Sequence, residues 1–185
     1  MVHSGDVLTN PFTHQTLVIR RTSADTAGEL LEMESIWEEM TPSRPHTHYH
    51  PLQEERFEIL EGRVRVAIEG VERDLVAGDS LIVNPGTPHE MWAPEGRARA
   101  RWETRPARQS ERFYETLWNL AADSKTSESG VPSLLRIAPI ALHHNKEFRL
   151  AGSWPVQQAL FTALAPLARA RGYGAWYDRS GADGG

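Results

Sequence analysis

The chain has 185 residues, eight histidines, no cysteine and a formal net charge of −5. That length can bury a full core without staples. The missing thiols exclude both a disulfide framework and a thiolate metal site, and the mild negative charge argues against nucleic acid as a partner. The segment MVHSGDVLTNPF lacks the basic start and apolar run of a secretory signal. Residues 159–170, the most apolar late stretch, are too short to span a bilayer and contain Pro166. The expectation is a cytoplasmic protein with no transmembrane segment.

From residue 16 to 105 the chain reads as short strands divided by turns. Along 29–40, Leu31, Met33, Ser35 and Trp37 alternate and are assigned to an inner face, with Met33 and Trp37 lining a pocket. Residues 46–62, HTHYHPLQEERFEILEG, hold three histidines at alternate positions with a carboxylate soon after. Alternate side chains of a strand share a face, so His46, His48 and His50 can point together, as can Glu55, Phe57 and Ile59. A barrel interior makes both faces useful, because His48 and His50 there meet Glu55 from a neighbouring strand. Imidazole and carboxylate suit a divalent first-row metal, and the cation offsets the cost of burying the carboxylate.

Pro45 interrupts the run before His46, which is placed outside the ligand set. Glu54 falls on the opposite face from Glu55, toward solvent or an ion pair. RVRVAI at 63–68 alternates as a half-buried strand, and Glu69-Gly70 and Ala77-Gly78-Asp79 supply turns. A glycine- and proline-containing turn then leads to His89, which opens HEMWA with Met91 on its face. In ARARWETR the arginines at 99, 101 and 105 form a solvated face, and Trp102 points inward to the pocket.

After Pro106 the period changes. Residues 111–122 read as an amphipathic helix with Phe113, Leu117 and Leu120 on its apolar face and Ser110 as N-cap. Residues 125–130 read as a loop, and 134–142 as a helix bent or shortened by Pro139. Residues 156–171 repeat Val156, Leu160, Leu164, Leu167 and Ala168 at helical spacing, a stripe assigned to packing on the barrel or a second subunit. The adjacent pair His143-His144 is assigned to surface or loop, and the tail 180–185 to disorder. The chain divides into a β body, 1–108, and a helical appendage, 109–185.

Two spaced patterns run through the β body. The first is His48-x-His50-x4-Glu55-x6-Gly62, with Pro42 where an opening glycine is expected. The second is Gly78, Asn84 in a proline position, Gly86, His89, and Ala93 in place of a closing asparagine. Together they resemble the two motifs of the cupin superfamily over about half the chain. The resemblance implies a mainly β fold, a double-stranded β-helix or jelly-roll barrel. It also implies a germin-type site of His48, His50, Glu55 and His89 around one divalent transition metal: iron, manganese, nickel or zinc. Such a set leaves coordination positions open, the mark of a catalytic site. With Phe57, Met91, Trp37, Met33 and Trp102 as lining, the expected ligand is a small, chelating, moderately apolar molecule. The leading expectation is an oxygenase, isomerase or cyclase. The alternative is a non-catalytic barrel that binds a metal or small ligand for sensing, storage or protein interaction. Barrels of this kind cover their edge strands by dimerising, so a homodimer is expected.

Overall fold

The computed structural model describes every residue except 43, 180–182 and 185. Ten strands form the body: β1 (Val7–Asn10), β2 (Gln15–Arg21), β3 (Leu31–Trp37), β4 (His48–Tyr49), β5 (Glu54–Glu61), β6 (Arg63–Ile68), β7 (Val71–Val76), β8 (Ser80–Val83), β9 (His89–Trp92) and β10 (Ala98–Arg105). Then come α1 (Ser110–Ala122), α2 (Leu134–His143), β11 (Arg149–Leu150), α3 (Trp154–Ala170), β12 (Trp176–Tyr177) and β13 (Asp183–Gly184). A six-stranded sheet runs β1-β2-β3-β10-β5-β8 and a five-stranded sheet runs β11-β4-β9-β6-β7. The pairings within both sheets are antiparallel. After β4 the chain crosses between the sheets at each step except the β6–β7 hairpin, so the fold is mainly β with the jelly-roll character that the resemblance implies.

Alternation decides what faces inward. Leu31, Met33, Ser35 and Trp37 are all buried on β3, as are Glu55, Phe57 and Ile59 on β5. On β10 the inward set is Ala98, Ala100, Trp102 and Thr104. The intervening arginines do more than face solvent: Arg101 pairs with Glu58 at 2.6 Å, and Arg99 donates through Nε to the buried Glu34 at 2.8 Å. Burial would raise the Glu34 carboxyl, but Arg20 and Arg99 outweigh it and hold it low. Gly62 turns β5 into β6 at φ +72°, where a Cβ would lie 2.0 Å from the Arg97 carbonyl oxygen, so only glycine fits.

The C-terminal part departs from the sequence reading in four places. α1 is buried around most of its circumference, with Tyr114, Thr116 and Trp118 covered as well as Phe113. Its N-cap is Gln109, while the Ser110 hydroxyl accepts from Gln53 Nε2 at 2.8 Å. α2 continues through Pro139 as one ten-residue helix, with Ala138, Pro139 and Ile140 buried and the Ser133 hydroxyl capping its N-terminus by accepting from the Arg136 N–H at 3.4 Å. α3 buries Phe161, Ala165 and Ala168, and turns Val156, Leu160 and Leu167 outward. Of the expected stripe, Ala168 is buried and Leu164 half-buried, so the packed face is rotated from the one the spacing marks. Of the tail, Asp183–Gly184 pairs with Trp176–Tyr177, and the rest lies outside the described residues.

One hydrophobic cluster joins barrel and helices, running from Leu17 and Trp37 through Phe57 and Trp102 to Phe113, Trp118 and Ile140. Among the described residues no helix is long and apolar enough to cross a membrane.

Candidate metal centre

β4 is only two residues long, yet it lies between β11 and β9. Its register sets His48 opposite His89 on one side and Leu150 on the other. Antiparallel partners stand about 5 Å apart with side chains on one face, and the two imidazole centroids are 4.5 Å apart. His50 follows where β4 ends, with its ring 5.2 Å from His48 and 5.4 Å from His89. Gly86, at φ +79°, donates its N–H to the His50 carbonyl at 2.8 Å, which ties the turn before His89 to the first histidine pair. Glu55 arrives from the facing sheet, between Thr104 of β10 and Val83 of β8.

One nitrogen from each of His48, His50 and His89 lies within 4.8 Å of the others. Glu55 Oε1 is 3.2 Å from His50 Nε2, and Oε2 is 2.8 Å from His89 Nε2. Each ring is aimed by its other nitrogen. Nδ1 of His48, His50 and His89 meets the main-chain oxygens of His46, Glu147 and Thr87 at 3.1, 2.5 and 2.9 Å. A carbonyl only accepts, so Nδ1 carries the proton and a neutral ring keeps its Nε2 lone pair for the interior. His50 Nε2 and Glu55 Oε2 are buried there without a hydrogen-bond partner, their close contacts lacking hydrogen-bond geometry. Converging, unsatisfied lone pairs of this kind are costly unless a cation sits among them. The four side chains fit a divalent first-row metal on that ground.

For His48, His50 and Glu55, electrostatics favour ligand-ready protonation. Burial, helped by the neighbouring imidazoles, pushes His48 down to about 3. Burial also lowers His50 against the attraction of Glu55. For Glu55 burial acts upward, but His50 and His89 outweigh it and hold the carboxyl at about 2. His89 shifts the other way: burial lowers it, and the Glu55 carboxylate more than compensates.

Glu55 has a support the sequence did not reveal. Trp102 Nε1–H donates to Oε1 at 3.0 Å, and the buried Tyr114 hydroxyl donates to the same oxygen at 3.4 Å. Burial and Glu55 push the Tyr114 phenol well up, so it stays a donor. A cavity of about 390 Å³ opens over the site. Trp37, Phe57, Met91 and Trp102 line it at the barrel end, whereas Met33 is fully buried in the core and is not among the lining residues. The helical part supplies the remainder, including Phe113, Trp118, Ile137, Phe148 and Phe161. Phe148 stacks on the His48 ring at 4.8 Å. The dense aromatics of 113–118 were the available signal, but nothing in their spacing says that they close a barrel mouth.

His46 is exposed, lines the cavity and offers its carbonyl to His48, and Glu54 pairs with Arg56 at 2.5 Å. His143-His144, assigned to surface or loop, divides: His143 is exposed at the end of α2, whereas His144 lies in the turn beyond it but away from the surface. His144 is fully buried against Phe113, with neither ring nitrogen hydrogen-bonded. It sits just past the C-terminus of α2, where the chain turns inward to carry Phe148 to the site.

Residues 36–103 match the family profile described as a cupin domain. An oxidoreductase from Arthrobotrys oligospora is 34% identical over 59 residues, 31% of this chain and 23% of its own length. This chain thus spans under a quarter of that curated relative. Among solved structures, KdgF from a Halomonas species is similar at TM-score 0.49 and 18% identity, covering 60% of this chain and 94% of that one. An RmlC-like cupin from Shewanella frigidimarina gives TM-score 0.48 and 19% identity, covering 58% and 88%. The matched segment runs from the end of β3 into β10 and contains His48, His50, Glu55 and His89 together. Over that segment, residues 36–103, the chain carries a cupin domain.

Proposed function

We propose that the protein is a metal-dependent enzyme. His48, His50, His89 and Glu55 hold one divalent transition metal, and a small organic substrate reaches it through the aromatic cavity. The observation that carries this reading is the set of three Nδ1-anchored imidazoles facing a carboxylate, with buried lone pairs left over. A metal in such a site polarises a chelating carbonyl or enolate, or acidifies a water. The chain's own groups do the rest. Trp102 and Tyr114 fix Glu55 by bonding its Oε1, and Phe148 holds the His48 ring in plane. The aromatic lining favours an apolar substrate body and keeps bulk water sparse. The reaction is of oxygenase, isomerase or cyclase type.

A second reading is a non-catalytic barrel that binds a metal or small ligand. It is favoured by the scarcity of titratable lining groups beyond the proposed ligands. His48→Ala separates the two. A catalytic metal predicts lost turnover with an unchanged melting curve, whereas a purely structural metal predicts a large loss of stability.

The same proposal includes a homodimer, supported by the outward apolar face of α3, and a reducing, cytoplasmic setting, supported by the absence of cysteine. It also divides the chain at 108/109 into barrel and appendage, the second depending on the first through their common core.

A further inference from the structure

The charged and amide groups around the cavity are few, and nearly all are spent. Glu55 is held by Trp102 and Tyr114. Arg44 is paired with Glu90 and, at 2.6 Å, with Glu72. Gln15 donates to the Ser35 hydroxyl at 2.6 Å. Gln157 donates to the Leu150 and Ala151 carbonyls at 3.2 and 3.3 Å, which fixes the segment next to Arg149.

Among the amides, Gln157 Oε1 is buried without a partner, and among the charged lining groups Arg149 is the exception. Its Nε donates to the Asn145 carbonyl at 2.7 Å, and its guanidinium carbon lies 4.5 Å from the centre of the Trp154 ring. Among the described residues no carboxylate pairs with it, although it is half-buried and lines the cavity. A guanidinium offers a planar fork of donors, and one bond through Nε leaves the terminal pair unspent. Stacking on Trp154 sets the plane of that fork without neutralising it. Leu150 lies opposite His48 and Arg149 opposite Tyr49, so the Arg149 side chain leaves β11 on the other face from His48, while Phe148 stacks on His48. The cation therefore belongs to the short segment that walls the histidine cluster, and it joins the cavity lining beside Trp154.

We propose that Arg149 is a specificity-determining residue that receives the carboxylate of an apolar, aryl-bearing acid. The acid's ring lies along the aromatic walls and its other end faces the histidine cluster. This rests on reading the cavity as a small-molecule site, but not on a metal being bound. A carboxylate matches the guanidinium fork in two parallel hydrogen bonds, and the apolar surroundings strengthen the pair. An amide or alcohol of the same shape forfeits that gain and leaves the cation unpaired.

Trp37, Trp102, Trp118 and Trp154 all line the cavity and supply an intrinsic fluorescence signal. The test titrates 3-phenylpropionate, 3-phenylpropanamide and 3-phenylpropanol into the protein, both as purified and after chelation. The expected result is binding of the carboxylate about tenfold or more tighter than its two neutral analogues, in both preparations, as a charge-assisted bidentate pair predicts. Arg149→Met should bring that ratio close to one with affinity for the alcohol unchanged, and Arg149→Lys should keep part of the preference. Melting curves identify any variant that does not fold, in which case Arg149→Lys carries the comparison. His48→Ala should keep the preference while losing metal, which distinguishes failure here from failure of the metal reading. The proposal is overturned if the wild type shows no carboxylate preference or no saturable binding. It is overturned equally if Arg149→Met keeps the preference, or if the preference disappears with His48 instead.

Discussion

Glu55 is pinned from behind on one oxygen and faces two imidazoles with both. The contact behind it is therefore a sensitive place to perturb the site without touching a proposed ligand. Trp102→Phe keeps most of the buried volume and removes the Nε1–H bond. Groups that orient metal ligands typically change affinity by about 10–100-fold. A competition titration with a metallochromic chelator should show a loss of that size, and equal affinities would detach Trp102 from the site's function. His144 offers a second test at this scale. Burial, with His143 and Arg112 nearby, lowers its pKa from an ordinary 6.5 to about 3. Between those values the unfolded chain takes up a proton that the folded chain refuses. The contribution to stability is therefore complete above about 6.5 and is lost as pH falls toward 3. Replacing this ring with the similarly sized His144→Leu should flatten the acid side of the stability curve by up to about one kcal/mol per pH unit. Urea midpoints measured from pH 7 to pH 4 check this, and parallel curves for the two proteins would contradict it.

At the scale of elements, the strands were legible because period-two alternation and burial agree. Arg63–Ile68 and Ala98–Arg105 are strands with the faces that their sequences assign, and Glu55 and Phe57 share the interior as parity requires. The helices were legible in position but not in orientation. Val156, Leu160, Leu164, Leu167 and Ala168 make the obvious stripe, yet of these α3 buries only Ala168, with Phe161 and Ala165 beside it, and leaves Leu164 half-buried. Which face turns inward depends on the shape of the partner surface, and periodicity does not carry that. The anchoring of His50 by the Glu147 carbonyl was invisible for a similar reason, since a main-chain acceptor 97 residues away leaves no side-chain signature. Gly62 is the element-level test. Gly62→Ala meets the Arg97 carbonyl and a positive φ together, and should destabilise by at least about 1–3 kcal/mol in chemical unfolding. A change below the error of that measurement would mean the β5–β6 turn can relax.

For the whole molecule, barrel and helices share one core and one cavity, so neither is complete alone. A chain ended at residue 108 would bare Phe57 and Trp102 and remove the Glu147 acceptor from His50. It should bind an apolar dye and lose cooperative unfolding, and a sharp two-state melt from that fragment would show that the barrel stands independently. The outward face of α3 makes a separate statement about assembly. Light scattering behind size exclusion should give twice the monomer mass, and Leu160→Glu, on that face, should return it to one. A monomeric wild type would contradict the dimer and leave Val156, Leu160 and Leu167 exposed.

The metal centre and the enzyme built on it depend on whether lone pairs brought together from both sheets retain a cation in solution. Elemental analysis of desalted protein, with His89→Ala beside it, addresses that directly. About one divalent transition metal per wild-type chain, falling to near zero in the variant with its circular dichroism unchanged, is the predicted result. Equal, near-zero content in both proteins, persisting after each has been offered iron, manganese, nickel and zinc, would contradict the metal centre and the enzyme built on it.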